Sequence, residues 1–360
     1  MTCQGGGVLS LFKDRRASFS YNTRVGIRAI PSILGLSQGD EVLGPAYNCG
    51  SEIDPLIHAG LKVNLFPVGR DMVIDPNDIE KRITSRTKAI YVIHFFGELQ
   101  PHLYDIRKIS DRHGIKLIED CALSLLSGSF PADGRVGDIS LFCFYKFFPV
   151  VGGGALVIND GNLPDPPTFS RSPPFGATGR HLVRKYMTKI LGDGPIRKIR
   201  KRKALVRNTK PSQGEFQDMP EHYYFDTDLE GRGMSKLTGR ALEAVDVKET
   251  FRRRRANWFA YRELLDGVSG VKLLKSDLAP ETCPVSMPII VRNRDHIARM
   301  LQADGFEATP WWGGFNRRVE WSGQTDAIWL KSHVLSLPLD QSMEELDIRN
   351  MVNKLCEVVV

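Results

Sequence analysis

Residues 137–160 read GDISLFCFYKFFPVVGGGALVIND, two apolar runs separated by a lysine, a proline and three consecutive glycines. Between Ser140 and Ile158 the only charged residue is Lys146. A membrane span here would place that ammonium near the bilayer centre at a cost of about 2.5–3.5 kcal/mol. Pro149 and the glycines would also break such a helix. The stretch is therefore interpreted as two buried strands, 139–145 and 154–158, joined by a loop.

The preceding segment, 113–122, reads HGIKLIEDCA and ends an apolar strand in an acid pair. Strand-like and helix-like segments alternate across the first 160 residues, which predicts βαβ units and a mostly parallel sheet. In such sheets functional groups lie at the carboxyl ends of the strands. Asp120 at a strand end can pair with a cationic ring nitrogen, or it can simply cap a following helix. The residues alone leave both interpretations open.

Lys146 is unusual because burying an unpaired ammonium in an apolar run is costly. A desolvated lysine has a lowered pKa and becomes a nucleophile for carbonyl groups. The alternative is a lysine whose amine reaches solvent past its apolar neighbours.

Other candidates follow the same arrangement. Asn22 and Thr23 precede the first helix, where a hydroxyl suits either a phosphate or a plain N-cap. Cys49 follows the next strand, in PAYNCGS. His94 follows another strand and could approach a substrate or serve the core. Trp311, in a Trp-Trp-Gly-Gly run, could form an aromatic edge to a sugar site or pack within a loop.

The ordered set resembles the DegT/StrS family of sugar aminotransferases, which depend on pyridoxal 5'-phosphate (PLP) and belong to the fold-type I superfamily. The resemblance runs from about Phe19 to the C-terminus. It is carried by GDEVLGPAYNCGS (39–51), ITSRTKAIYVIHFFG (83–97), HGIKLIEDCA (113–122), the 137–160 stretch and HVLSLPLDQSM (333–343).

The resemblance implies roles for individual residues. Lys146 would carry the cofactor covalently and shuttle a proton, and Asp120 would keep the pyridine nitrogen protonated. Thr23, with Asn22, would bind phosphate at the helix start. Cys49 stands where the family often has an aromatic that stacks on the ring, and Cys143 where it usually has a serine that touches phosphate. Because related dehydratases have histidine in place of the lysine, Lys146 favours amino transfer.

The sequence also departs from the family pattern. Two residues are missing between Cys143 and Lys146. Leu123 stands where a glutamine or histidine usually lies over the ring. The phosphate contact from the neighbouring subunit usually comes from an asparagine, whereas residues 230–235 read EGRGMS and offer Arg232 instead. A scaffold that has lost turnover and serves as a binding or assembly subunit is therefore the first alternative.

The charge distribution and the cysteine content limit the remaining classes of function. The net charge is +7, but eleven basic residues and one acidic residue lie between 184 and 210, so the excess belongs to one segment. That segment is either a solvated insertion or a surface for an anionic membrane, a nucleic acid or the diphosphate of a nucleotide sugar. Binding to a membrane or a nucleic acid is the second alternative function. The six cysteines contain no C-x-x-C pair, and no signal peptide is visible, which favours a cytoplasmic protein with no metal site.

The expected architecture is an α/β fold-type I PLP-dependent transferase. A large cofactor-binding domain, residues 1–245, would contain the mixed, mostly parallel sheet and a basic insertion at about 161–222. A smaller α/β domain, residues 246–360, would follow. The resemblance further implies a homodimer with shared active sites, a keto-sugar acceptor that is nucleotide-linked, glutamate as amino donor, and a role in polysaccharide or glycosylated-product biosynthesis.

Overall fold

A seven-stranded sheet forms the centre of the protein. The computed structural model describes residues 7–128, 133–174 and 216–359. The strand order is β1-β7-β6-β5-β4-β2-β3, and β7 runs antiparallel to both of its neighbours while the others pair in parallel. The strands are β1 (Arg16–Ser20), β2 (Glu41–Pro45), β3 (Lys62–Phe66), β4 (Thr87–Ile93), β5 (Lys116–Asp120), β6 (Ile139–Cys143) and β7 (Gly154–Ile158).

A second, antiparallel sheet lies in the C-terminal third, with the order β10-β11-β9-β8. Its strands are β8 (Val271–Leu273), β9 (Met287–Val291), β10 (Thr309–Pro310) and β11 (Val334–Leu337). The buried apolar residues form two clusters, one around the large sheet and one around the small sheet. Trp312, Trp321 and Leu330 belong to the larger cluster although they lie late in the chain, so residues 311–334 pack on the large sheet.

The α-helices surround these sheets. They are α1 (Thr23–Ile33), α2 (Asp54–His58), α3 (Pro76–Glu80), α4 (Leu103–His113), α5 (Lys236–Glu243), α6 (Val247–Leu265), α7 (Arg294–Ala303), α8 (Thr325–His333) and α9 (Glu345–Val359). Within the described ranges, short 3₁₀ turns occupy Val8–Phe12, Glu221–Tyr223 and Thr227–Leu229. Among the residues that the structure describes, no helix combines the length and apolarity needed to cross a bilayer.

The apolar spacing after Met234 predicts a single long helix. The structure has two helices there, α5 and α6. The helical pattern breaks between them, where the Asp246 side chain accepts a hydrogen bond from Glu249 N and begins a new helix. The predicted domain boundary at 245/246 falls in this break and stays a prediction. The basic segment 184–210 lies outside the described residues.

Candidate active site

The parallel strands of the large sheet end at one edge, and the predicted site residues gather there. Asp120 is the last residue of β5 and is 1% exposed. β6, the parallel neighbour of β5, ends at Cys143, so Lys146 follows in the loop directly beyond the same edge. This is the end of a parallel sheet at which ligands bind.

Two hydrogen bonds hold the Asp120 carboxylate from within the protein. The Tyr91 hydroxyl donates to Oδ2 at 2.6 Å, and Ala122 N donates to Oδ1 at 2.8 Å. Burial raises the pKa of Asp120 to about 6, and the nearby Glu52 carboxylate adds to that rise against the effect of these hydrogen bonds. Both oxygens thus have partners within the protein, and the pairing of Asp120 with a cationic ring nitrogen stays a prediction.

The Lys146 side chain is half-buried and lies against aromatic rings. Its Nζ is 5.2 Å from the centroid of the Trp311 ring and 5.8 Å from that of Tyr145. Burial lowers the pKa of Lys146, but the electrostatic influence of Cys49 and its neighbours raises it more, so the net shift is upward. The expectation of a lowered pKa, drawn from the apolar sequence around this lysine, is therefore wrong for the protein without a ligand.

Cys49 is hydrogen-bonded to the carboxylate of Glu52, a residue that no sequence motif marks. Its backbone N donates to Glu52 Oε2 at 3.1 Å, and its Sγ lies 2.9 Å from both oxygens of the same carboxylate. Burial, with the Glu52 charge adding to it, raises the pKa of the Cys49 thiol well above its usual value. Glu52 lies in the turn before α2. Because a turn has no regular periodicity, the sequence does not predict where the Glu52 side chain points.

The start of α1 is pressed against the ends of β6 and β7. The Asn22 side chain caps the helix by accepting from Val25 N at 3.1 Å, and Thr23 Oγ1 donates to Phe142 O at 3.0 Å. A Cβ on Gly154 would lie only 2.7 Å from Thr23 N, so the approach requires glycine at that position. The plain capping role of Asn22 is present, and the phosphate roles of Asn22 and Thr23 stay predictions.

Cys143 ends β6 and is 1% exposed. Burial raises its pKa, and the nearby Lys146 ammonium opposes part of that rise. The carbonyl of the preceding residue, Phe142, accepts the Thr23 hydrogen bond, and the phosphate contact of Cys143 stays a prediction.

His94 is fully buried, and both ring nitrogens are engaged within the protein. Nε2 lies 3.0 Å from Glu119 Oε1, and Nδ1 accepts from Gln100 N at 3.0 Å. Glu119 Oε2 also accepts from Gly137 N at 2.8 Å. Ligand atoms of His94, Glu119 and Cys121 lie within 4.8 Å of one another, but these hydrogen bonds already occupy the ring and the carboxylate. The geometry favours the structural alternative for His94.

The Arg232 side chain is held by backbone carbonyls of its own chain. Its guanidinium donates to Asp228 O and to Ser172 O, both at 2.6 Å. Its carbonyl accepts from Tyr21 N at 2.8 Å, which ties residues 230–235 to the start of α1. Its predicted contact with a neighbouring subunit's phosphate stays a prediction.

Trp311 lies directly beside the lysine and belongs to a packed aromatic cluster. Its ring is stacked on Trp312 at 5.6 Å and lies 5.1 Å from Phe96. Trp312 and Phe96 both have positive φ, 51° and 54°, which is rare for such bulky residues. Strained backbone of this kind concentrates at functional sites. Both interpretations of Trp311, an aromatic edge and a packed loop, are compatible with its place.

The segment 216–225 is hydrogen-bonded to α1 and to the buried Asp54 of α2. Arg24 donates to the carbonyls of residues 222, 223 and 224, and Phe225 N donates to the buried Asp54 carboxylate at 2.5 Å. Burial and the nearby Cys49 raise the pKa of Tyr223, an effect that Lys146 partly opposes. The segment is polar and has no helical or strand periodicity. The sequence therefore gives no indication that Tyr223 lies close enough to Cys49 and Lys146 to interact with them electrostatically.

A second lysine, Lys331, is buried close to the same site. Its Nζ donates to Asn48 O at 2.5 Å, to Gly314 O at 2.9 Å and to Trp312 O at 3.0 Å. Burial lowers its pKa to about 7. These three carbonyl contacts tie the turn before Cys49 to the loop after Trp311.

The site also fits the group that the sequence resemblance implies. One edge of the sheet carries a buried carboxyl, a lysine and a flat aromatic surface. At the same edge a helix start packs closely on a strand, which requires glycine in that strand. Leu123, at the place where the family usually has a ring-facing polar residue, is 2% exposed and packs in the larger core.

Three comparisons with known proteins bear on this geometry. The model of the DegT/DnrJ/EryC1/StrS aminotransferase family matches residues 22–192. GDP-perosamine synthase from Vibrio cholerae is 28% identical over 154 residues, 42% of this chain and 42% of that protein. The erythromycin biosynthesis sensory transduction protein EryC1 from Saccharopolyspora erythraea is 34% identical over 137 residues, 36% of this chain and 37% of that protein. The matched region thus spans about two fifths of these curated relatives.

Solved structures extend the likeness of fold to nearly the whole chain. A crystal structure of DesI, determined in the presence of its TDP-sugar product, superimposes with a TM-score of 0.66 at 20% identity. The superposition covers 97% of this chain and 82% of that one. The fold-type I prediction is confirmed.

Proposed function

We propose that the chain, whose residues 22–192 match the model of the DegT/DnrJ/EryC1/StrS aminotransferase family, is a PLP-dependent aminotransferase of that family that transfers an amino group to a keto-sugar. One observation carries the proposal: Lys146 and the buried Asp120 carboxyl lie at the same edge of the sheet, beyond β6 and at the end of β5. When bound, PLP supplies an electron sink and an exchangeable carbonyl.

Each residue of the site has a part in this proposal. Asp120, held by Tyr91, would keep a proton on the ring nitrogen. Lys146 Nζ would anchor the cofactor and afterwards carry a proton to and from the substrate carbon. Thr23 and Cys143 would meet the phosphate where α1 begins. Trp311, beside Lys146, would form one wall of the sugar site.

The finer parts of the function are proposed on family grounds. We propose glutamate as the amino donor, a nucleotide-linked keto-sugar as the acceptor, and a product that enters a polysaccharide or another glycosylated compound. We also propose a cytoplasmic homodimer, in which Arg232 of one chain would complete the site of the other. The name GDP-perosamine synthase, borne by one relative, supports the nucleotide-linked acceptor.

A single-turnover experiment tests the amino transfer. Purified protein is incubated with PLP and glutamate, without acceptor, and the 2-oxoglutarate released is measured. Wild-type protein should release about one equivalent for each site, because the first half-reaction needs only the donor. K146A should release none. K108A is the matched control, since Lys108 is exposed and pairs only with Asp105 at 2.9 Å.

Absence of 2-oxoglutarate from wild-type protein that nonetheless binds PLP would contradict the proposal. It would instead support the alternative of a scaffold that binds or assembles without turnover. Release from K146A equal to that of wild type would contradict the role of the lysine.

A further inference from the structure

One arginine of the charged run 252–255 is fully buried. The helical periodicity of this run predicts side chains pointing all round a surface helix, and for Arg254 that prediction is wrong. Arg254 is 1% exposed within α6. Its Nε donates to Gln341 Oε1 at 2.9 Å, and its Nη1 donates to Leu339 O at 2.8 Å, Val285 O at 3.1 Å and Pro284 O at 3.2 Å.

The remaining nitrogen of Arg254 reaches the loop that carries the lysine. Nη2 donates to Phe147 O at 2.9 Å, and the guanidinium carbon lies 5.0 Å from the centroid of the Phe147 ring. Gln341 Nε2 donates to the same carbonyl at 3.1 Å. The residue directly after Lys146 is therefore held at its ring and at its carbonyl by two side chains from the C-terminal part of the chain.

Short-range backbone hydrogen bonds hold the loop that carries Lys146. β6 ends at Cys143, and the loop's own bonds run from Phe147 N and Phe148 N to Phe144 O, at 3.1 and 3.0 Å, and from Val150 N to Phe148 O at 2.8 Å. None of these fixes the Phe147 carbonyl. A planar guanidinium with five donors is well suited to hold several carbonyls in one arrangement, whereas a lysine could not reach them all.

Among the residues that the structure describes, the carboxylate that pairs with Arg254 is that of Asp340. It lies 3.7 Å from Nη2, and its side chain is 42% exposed. A buried cation without a buried counter-ion is costly to the fold, so its contacts with backbone carbonyls carry the compensation. An arrangement of this kind is expected where the position of the contacted backbone matters.

We propose that Arg254, assisted by Gln341, is a positioning residue that sets where Lys146 Nζ lies at the sheet edge. The inference rests on the proposed function, because it assigns Arg254 to the geometry of the reacting lysine. The contact between α6 and the loop after β6 thereby becomes a condition for the chemistry of Lys146. Arg254 touches neither cofactor nor substrate in this account.

The test compares Arg254→Lys, Gln341→Leu and the matched control Arg252→Met. Arg252 lies on the same helix, is exposed, and pairs with Glu249 at 2.6 Å. In the protein without cofactor, the rate at which an amine reagent modifies Lys146 is followed from pH 7 to 11 by peptide mapping. With cofactor and substrates, kcat and KM are measured, and thermal unfolding reports the amount of folded protein.

Arg254→Lys should shift the apparent pKa of Lys146 modification by about half a unit or more. It should lower kcat about 10- to 100-fold with KM within about twofold, because a small displacement of the lysine affects the reacting geometry and not substrate binding. Gln341→Leu should change the apparent pKa and kcat in the same directions but by less. If Arg254→Lys does not fold, the Gln341→Leu variant alone tests the proposal. Arg252→Met should match wild type.

Wild-type behaviour of Lys146 in folded Arg254→Lys and Gln341→Leu protein would overturn the inference. A loss of activity that only follows the loss of folded protein would overturn it as well. The modification profile needs no cofactor, so it still measures the positioning effect if the wild-type protein proves inactive and the proposed function fails.

Discussion

Asp120 shows at the scale of one residue how the fold prepares the site. Its carboxyl is buried beneath the sheet edge and receives hydrogen bonds from Tyr91 and from Ala122 N. Burial and the nearby Glu52 raise its pKa to about 6. A protonated ring nitrogen needs the ionised form as its partner, so the protonation state of Asp120 should govern how tightly PLP is held.

We predict that the affinity for PLP rises with pH up to about pH 6 and then levels off. Below the pKa of Asp120 the carboxyl must first lose its proton, which weakens binding by up to about tenfold per pH unit. Dissociation constants measured between pH 5 and 8 test this. D120N keeps the titration of the cofactor phosphate but has no carboxyl to ionise, so it should bind more weakly and with a flatter profile. An identical pH profile in wild type and D120N would contradict the role of Asp120.

Some residues of the site could be predicted from sequence, and others could not. Asp120 and Lys146 stand out because charged residues at the ends of apolar strands are rare and the topology collects those ends. Glu52 and Tyr223 lie in turns, where side-chain direction follows no periodicity. Tyr91 lies within an apolar strand and looks like core until its hydroxyl is seen beside Asp120.

At the scale of elements, the start of α1 depends on how closely β7 approaches it. Gly154 begins β7, and a Cβ there would lie 2.7 Å from Thr23 N and 3.0 Å from Thr23 Cα. The helix start can move away only by breaking its contact with Phe142 O. The position of the proposed phosphate contact therefore depends on the absence of a side chain at Gly154.

We predict that G154A lowers both stability and PLP affinity. The added methyl group forces the helix start away from the sheet, and overpacking of this kind costs about 1–3 kcal/mol of unfolding free energy. Chemical denaturation and PLP titration measure the two effects. G161A is the control, because Gly161 is exposed and a Cβ there would meet nothing within 4 Å. Equal behaviour of G154A and G161A would contradict the role given to this approach.

The elements themselves were accessible from sequence to different degrees. The alternation of apolar strands and amphipathic helices is enough to predict the parallel sheet. The break between α5 and α6 was missed because apolar spacing continues through it, and only the capping hydrogen bond of Asp246 reveals it. The buried state of Arg254 was missed for a related reason, since periodicity says which residues share a face but not what that face packs against.

At the scale of the whole molecule, residues distant in the chain share the site. Residues 311–334 pack on the large sheet, and Lys331 ties their loop to the carbonyl of Asn48. Arg254 and Gln341 hold the loop of Lys146 from the same C-terminal part. The proposed homodimer would extend this sharing to a second chain.

We predict that two defective variants restore one another when mixed. K146A removes the lysine, and R232A removes the residue proposed to reach the partner's site. After unfolding and refolding together, random pairing should give about one quarter of sites in which both residues are native. Transaminase activity of the mixture, compared with each variant refolded alone, measures the recovery. Activity no greater than the mean of the two variants would contradict a shared site.

The central claim is that Lys146 is the lysine that carries the cofactor. The most direct measurement is the visible absorption spectrum with added PLP, followed by borohydride reduction and peptide mapping. We expect a bound-cofactor absorption band and a single reduced adduct on Lys146, with none on Lys331, which is more deeply buried. A spectrum of free PLP alone, or an adduct on Lys331 or on surface lysines in place of Lys146, would contradict it.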